Sequence, residues 1–318
     1  MAKGAVGAET GAAAPAALSP GRRRQRLAPT LEPYLYLSPA LVTLLLVMFV
    51  PLIVGITYAF RDVQILKPFS HGWVGIDHFK TLLTSDKTFY RALLNTLWWT
   101  GGSVILQFLF GLGLALLLNR PFAGKRLVQA LVFLPWAVPS FLSALTWAWL
   151  FNPVIGPVPH WLFALGVLDQ PFNILGDPTL AMWGPITANT WWGIPFFAIT
   201  LLAALQAIPS ELYEAAAIDG ASAWQRFTHV TLPYLAPIIA ITILLRTIWI
   251  SNFADIIVVM TGGGPANATQ ILPSYIFTTA YRKLDFGYAS AIAMALLLLL
   301  VFYTAVLFHL RRSFRSTA

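Results

Sequence analysis

An all-α, polytopic membrane protein with six transmembrane helices is the fold class predicted for this 318-residue chain. Three features predict it: 58% of the residues are hydrophobic, only 10% are charged, and the apolar residues gather in six long runs. Soluble domains carry about a quarter of their residues as charges, so an ordinary water-soluble fold is excluded. The mean hydropathy of +0.73 agrees. A helix needs about 20 mostly apolar residues to cross about 30 Å of hydrocarbon. The runs that meet this lie near Leu35 to Phe60, Leu94 to Leu118, Leu127 to Phe151, Ala181 to Ala207, Leu235 to Met260 and Ala289 to Leu310.

Residues 1–32 are rich in Ala, Gly and Pro without apolar periodicity, and are expected to form a disordered, basic cytoplasmic tail before a six-span domain over 33–318. The first run follows Arg22, Arg23, Arg24 and Arg26, as the core of a secretory signal would. It is too long for one, and no small-residue cleavage site follows, so it reads as a retained span. Alternate loops carry twelve Lys and Arg on one side against seven on the other, which places both termini in the cytoplasm. The net charge of +8 therefore reflects topology, and no nucleic-acid motif accompanies it. The absence of cysteine excludes disulfides, thiolate metal sites and cysteine nucleophiles.

The fourth run contains Asn189-Thr190-Trp191-Trp192-Gly193-Ile194-Pro195-Phe196. Pro195 has no N–H to give the Trp191 carbonyl, so a broken helix is expected, and a break at membrane depth is tolerated only beside protein or a cavity. Asn189, Trp192, Gly193 and Phe196 share one face by helical spacing.

A polar island, at about 208–233, separates the fourth and fifth runs. Ser210 is placed to cap a helix, with Glu211 and Glu214 in its first turn, where the helix dipole favours negative charge. Gly220 ends that helix, and a second short helix is expected from Ser222 to His229 before Pro233 opens the next run. Ala215, Ala216 and Ala217 give the first helix a narrow surface that fits a cleft, beside the carboxylates of Glu214 and Asp219. The alternative is an amphipathic helix lying on lipid headgroups. Such helices carry Lys and Arg on the polar face, whereas this one is acidic, which favours a soluble partner.

Ionisable groups inside spans are costly and point to function, which singles out Arg246 and Asp255 in the fifth run. Nine residues apart on one helix, they face opposite sides, and Asp255 reads as lying near the outer headgroups. Arg246 shares a stripe with Thr242, Trp249, Ile250 and Phe253. Two readings of the stripe stand. Aromatic faces and a guanidinium suit a polyol, or the stripe packs helix on helix with Arg246 snorkelling or paired with another subunit. With the fourth-run stripe, a shared cavity is the simplest joint reading. Gly262-Gly263-Gly264-Pro265 lacks the Lys of a phosphate-binding loop and reads as a flexible turn. The five histidines are scattered, and neither a catalytic nor a metal site is expected.

The island also fills a known pattern: Glu-Ala-Ala, three residues, Gly, nine residues, an aliphatic residue, any residue, Leu-Pro. Glu214, Ala215, Ala216, Gly220, Val230, Leu232 and Pro233 occupy it. With Leu134-Pro135-Trp136-Ala137-Val138-Pro139-Ser140, the segment from Asn189 to Pro195, and Thr261 to Pro265 followed by Phe286-Gly287, the chain resembles the permeases of binding-protein-dependent ABC importers for carbohydrates, and among them the maltose-type first permease. The resemblance implies a type I ABC importer permease fold in the prokaryotic inner membrane. It implies as partners a second homologous permease, an extracytoplasmic sugar-binding protein and two cytoplasmic ATPase subunits that hold the ATP and Mg, with no cofactor in this chain. Glu214, Ala215, Ala216, Asp219 and Gly220 would form the coupling helix. Asn189, Trp192, Gly193, Phe196, Arg246, Trp249, Ile250 and Phe253 would face a di- or oligosaccharide. The maltose-type permease has small polar residues at the places of Arg246, Ile250 and Phe253, which implies a different sugar, and this chain resembles the plain six-span form without extra leading spans or a large external insert. The competing class is an ion-coupled secondary transporter, which buries carboxylates along its pathway, and only Asp255 is available. A structural scaffold would not need a broken aromatic span.

Overall fold

The computed structural model describes residues 32–67, 72–170 and 172–315, so the tail expected over 1–32 lies, but for Glu32, outside the described residues. Two units are distinguished, one ending at Val54 and one beginning at Gly55. Among the described residues no β-strand forms, and extended pairing is confined to two isolated antiparallel bridges, Arg61 with Trp73 and Gln64 with Asp285.

Helix α1, Pro33–Tyr58, is apolar all round. It widens to π-helical geometry over Leu45–Phe49, immediately before Pro51, whose missing N–H disturbs the ladder there. In the second unit, α2 (Asp77–Thr84) is a short amphipathic helix that precedes α3 (Lys87–Asn119). The Asp86 side chain caps α3 by accepting the Phe89 N–H at 3.0 Å. α4 (Lys125–Ala137) and α5 (Ser140–Leu150) meet at a 96° bend. The expected third span is therefore not one straight helix: Pro139 cannot donate and pushes Val138 into an extended conformation. α6 (Pro157–Ala164) follows, then α7 (Trp183–Gln206). α7 runs through Pro195 without interruption, contrary to the expected break, since a proline removes one hydrogen bond and neighbouring helices brace the turn.

α8 (Ser210–Ile218) is the island's first helix. Pro209, not Ser210, is its capping residue, and the Ser210 hydroxyl makes no capping bond. The second short helix expected from Ser222 to His229 is not separate. α9 runs Ala223–Ser251 as one membrane-length helix, π-helical over Phe227–Thr231, with Pro233 in a position where the missing N–H is accommodated. A capping box joining Ser222 and Gln225 starts it. The fifth run also ends early: α9 stops at Ser251, and α10 (Asp255–Met260) is a separate short helix, so Arg246 and Asp255 do not share one helical wheel. α11 (Leu272–Phe277), with a π turn over Thr278–Arg282, leads to α12 (Phe286–Arg315). Among the described residues five helices are long and apolar enough to cross a membrane, or six if the bent α4–α5 pair is one span.

α3 and α7 form the centre of the second unit. Their backbones approach so closely at Gly111 that a Cβ there would overlap Phe197 and come within 3.2 Å of the Ala198 nitrogen. Without a hydrophobic drive between helices in lipid, such close packing is what holds spans together. The main cluster of buried side chains joins α3, α5, α7, α9 and α10, with Trp99, Ile186, Phe197, Leu201, Ile250 and Ile257 inside it. A second cluster joins α2, the start of α3, α11 and α12 through Leu82, Phe89, Leu272, Tyr275 and Ile292. Asp86 anchors this one, accepting from Tyr275 Oη at 2.8 Å and Tyr288 Oη at 2.7 Å. The turn expected to be flexible at Gly262–Gly264 is closely bonded: Gly262 N–H reaches the Ile257 carbonyl at 2.9 Å, and Thr269 Oγ1 donates to the Gly264 carbonyl at 2.7 Å. Gly263 has φ +90, and a Cβ there would overlap the Gln270 side chain.

Candidate functional site

Three helices bring their polar and aromatic residues to one place. α3 contributes Gln107, α7 contributes Asn189, Trp192, Gly193 and Phe196, and α9 contributes Arg246, Trp249 and Ile250, with Phe253 in the segment just after it. The spacing puts Arg246 one turn from Trp249 and Ile250, and Asn189 one turn from Trp192 and Gly193, so the two stripes expected to meet do so.

Arg246 is 1% exposed. Its Nε donates to Gln107 Oε1 at 2.7 Å, and Gln107 Nε2 donates to the Asn189 backbone carbonyl at 2.8 Å, which ties the three helices together. The guanidinium carbon lies 5.5 Å from the ring centroids of Trp192 and Phe196 and 5.3 Å from that of Trp249. Gly193 makes room for this arrangement, because a Cβ there would overlap both the guanidinium and the Gln107 amide. The Trp192 ring is held twice more. It stacks on Phe253 with centroids 5.5 Å apart and planes 9° apart, and its Nε1 donates to the Val138 carbonyl at 3.0 Å, an acceptor released by the break before Pro139. Ser140, beyond that break, donates to Asp255 Oδ2 at 3.0 Å. Two helix breaks thus converge on one tryptophan.

Exposure sorts the eight expected residues. Asn189, Trp192, Gly193, Arg246 and Ile250 are buried within the chain, Phe196 and Phe253 are half-buried, and Trp249 is 46% exposed. The Nη1 and Nη2 atoms of Arg246 and both side-chain polar atoms of Asn189 have no hydrogen-bond partner. Gln107 is the functional residue that sequence reasoning missed. Its position one helix away leaves no spacing signal, though a glutamine in an apolar run was a clue of its own.

The island residues are arranged differently. Glu214 and Ala215 are exposed and Ala216 half-exposed on α8, Asp219 and Gly220 are exposed just past its end, and Ile218 beside them is 87% exposed. Gly220 has φ +78, the left-handed conformation that stops the helix. Tyr213 Oη meets Thr231 Oγ1 at 2.9 Å and fastens α8 to the base of α9. A cleft of about 330 Å³ opens between the end of α3 and this element, lined by Asn119, Arg120, Tyr213, Arg226 and Phe227 among others.

Residues 107–316 match the family described as the binding-protein-dependent transport system inner membrane component. The chain belongs to that family. It is 38% identical over 276 residues to the trehalose/maltose transport system permease protein MalF of Thermococcus litoralis, covering 86% of this chain and 91% of that one. It is 34% identical over 279 residues to the diacetylchitobiose uptake system permease protein DasB of Streptomyces coelicolor, covering 86% and 85%. Among solved structures, a bacterial alginate ABC transporter in complex with an alginate pentasaccharide-bound periplasmic protein is similar with a TM-score of 0.77 and 27% identity, covering 91% of this chain and 98% of that one. The permease is a multi-pass membrane protein and a transport component, and membership of this family leaves no support for the ion-coupled alternative.

Proposed function

We propose that this permease forms half of the translocation pathway of an ATP-driven importer for a di- or oligosaccharide or a related polyol. The observation that carries the reading is the aromatic wall of Trp192, Phe196, Trp249 and Phe253 gathered at the breaks in two spans, since ring faces pack against the apolar faces of sugars. The relatives named for trehalose, maltose and diacetylchitobiose support the same class. Trp249, Phe196 and Phe253 face the sugar, and Asn189, Gly193, Arg246 and Ile250 stand behind them.

A second, homologous permease completes the pathway, and an external binding protein delivers the sugar. The α8 element, from Glu214 through Ala215 and Ala216 to Asp219 and Gly220, docks in a cleft of a cytoplasmic ATPase, of which two copies bind ATP and Mg. Both termini of the permease lie in the cytoplasm of a prokaryotic cell, by the excess of Lys and Arg on that side. No covalent chemistry takes place on this chain.

Affinity purification of the permease from its native membrane tests this assembly. An ATPase and a second permease are expected to copurify in stoichiometric amounts, and uptake of labelled disaccharide is expected to be lost in Trp249→Ala with the assembly intact. Recovery of the chain alone, still able to transport, would overturn the proposal.

A further inference from the structure

A guanidinium cannot shed its charge, and inside a span that charge needs an answer. Among the described residues Arg246 has no ion-pair partner, and its Nη atoms are unpaired. What surrounds it is the negative faces of three rings, at 5.3 to 5.5 Å, and one amide oxygen. We infer that Arg246 is a positioning residue: it braces Trp192, Phe196 and Trp249 by cation–π attraction, with Gln107 fixing its orientation, and acts on the transported sugar through those rings without touching it.

The geometry supports the division of labour. Trp192 is pinned at its edge by Val138 and on a face by Phe253, and Phe196 packs edge-on to Phe197 at 5.4 Å, whereas Trp249 is the most exposed of the three and leans on Arg246 and Phe196. The Gln107 bond takes Nε, so the guanidinium plane cannot turn away from the rings, and the Gln107 to Asn189 bond transmits that constraint to the backbone of α7. A lysine would keep the charge as a point but lose the planar fork. A glutamine would keep hydrogen bonding and lose the charge.

The term sugar here rests on the proposed function, but the bracing does not, and the test separates them. This chain contains no cysteine, so Phe253→Cys provides a single reporter beneath Trp192. In the intact assembly with its ATPase and partner permease, the rate at which a water-soluble maleimide modifies that cysteine is measured with Arg246 retained and in Arg246→Met, Arg246→Gln and Arg246→Lys. The Met and Gln variants are expected to be modified about fivefold faster or more, and Lys within about twofold of the parent. Equal rates in parent and Met, or a Gln variant that behaves as the parent does, would overturn the inference. If the Met and Gln variants do not assemble, Gln107→Met decides, because it leaves the charge and removes its clamp. A rate raised about twofold or more supports the inference and an unchanged one overturns it. Uptake of labelled trehalose and maltose is measured alongside in the assembly that keeps both Phe253 and Arg246. Absence of any uptake with the labelling pattern intact removes the sugar pathway and leaves the bracing standing.

Discussion

At the scale of single residues, the site is a problem of one buried charge and the space left for it. Gly193 lies against both Arg246 and Gln107, so Gly193→Ala forces overlap in a packed interior, which costs about 1–3 kcal/mol. Gly101 sits on α3 with open space around it. The thermal unfolding midpoint in detergent is expected to fall in Gly193→Ala and to hold or rise in Gly101→Ala. Asp86 makes the second prediction. Burial opposes its charge, but the hydroxyls of Tyr288 and Tyr275 and the Phe89 N–H outweigh that and hold its carboxyl below the ordinary value of 3.8. The same burial, with the Asp86 charge, pushes the Tyr275 phenol up. A depressed carboxylate stabilises the fold fully above its unfolded value and loses that contribution as pH falls through the folded value. Protection of the α11 amides from hydrogen exchange is therefore expected to drop below about pH 4 in the parent, while Asp86→Asn is less protected at neutral pH and flat through that window.

At the scale of elements, hydropathy located the five membrane-length helices and the bent α4–α5 pair, because a helix in lipid must be apolar along its whole length. What it did not locate were the interruptions. Pro139 bends its span by 96° and Pro195 leaves its helix whole, although both are prolines within apolar runs. The difference lies in neighbours: the freed Val138 carbonyl is answered by Trp192 from another helix, a contact more than fifty positions away that no local pattern encodes. The end of α9 at Ser251 was hidden for the same reason, since Asn252 to Ala254 look like a continuation of the run. The α8 element was legible because its signals are local: two carboxylates, three alanines and a glycine that stops the helix at φ +78. Glu214 is exposed there, so Glu214→Lys leaves the fold alone and reverses a charge at the proposed docking surface. Uptake per ATP hydrolysed is expected to fall about tenfold, with unchanged yield of folded permease, as a docking contact weakened by about 1.4 kcal/mol or more requires.

At the scale of the whole molecule, the two sites differ in the physics they rely on. The aromatic wall is made by long-range packing of α3, α7 and α9 around Arg246, and the α8 element is an exposed, self-contained helix joined to the base of α9 through Tyr213 and Thr231. α9 is the member common to both: it carries Thr231 at one end and Arg246, Trp249 and Ile250 near the other, so a displacement at α8 has a continuous helix along which to reach the wall. Sequence reasoning placed both stripes and the island, but not Gln107, the residue that ties the two stripes to each other, because a single polar side chain in an apolar run has meaning only once its partner is known. ATP-dependent uptake is the most direct test of the central claim. The permease is reconstituted into proteoliposomes with its partner permease, ATPase and binding protein, and accumulation of labelled trehalose or maltose is measured. Accumulation that requires both ATP and the binding protein is the predicted result. Accumulation driven by a proton or sodium gradient through this chain without the ATPase would contradict the account.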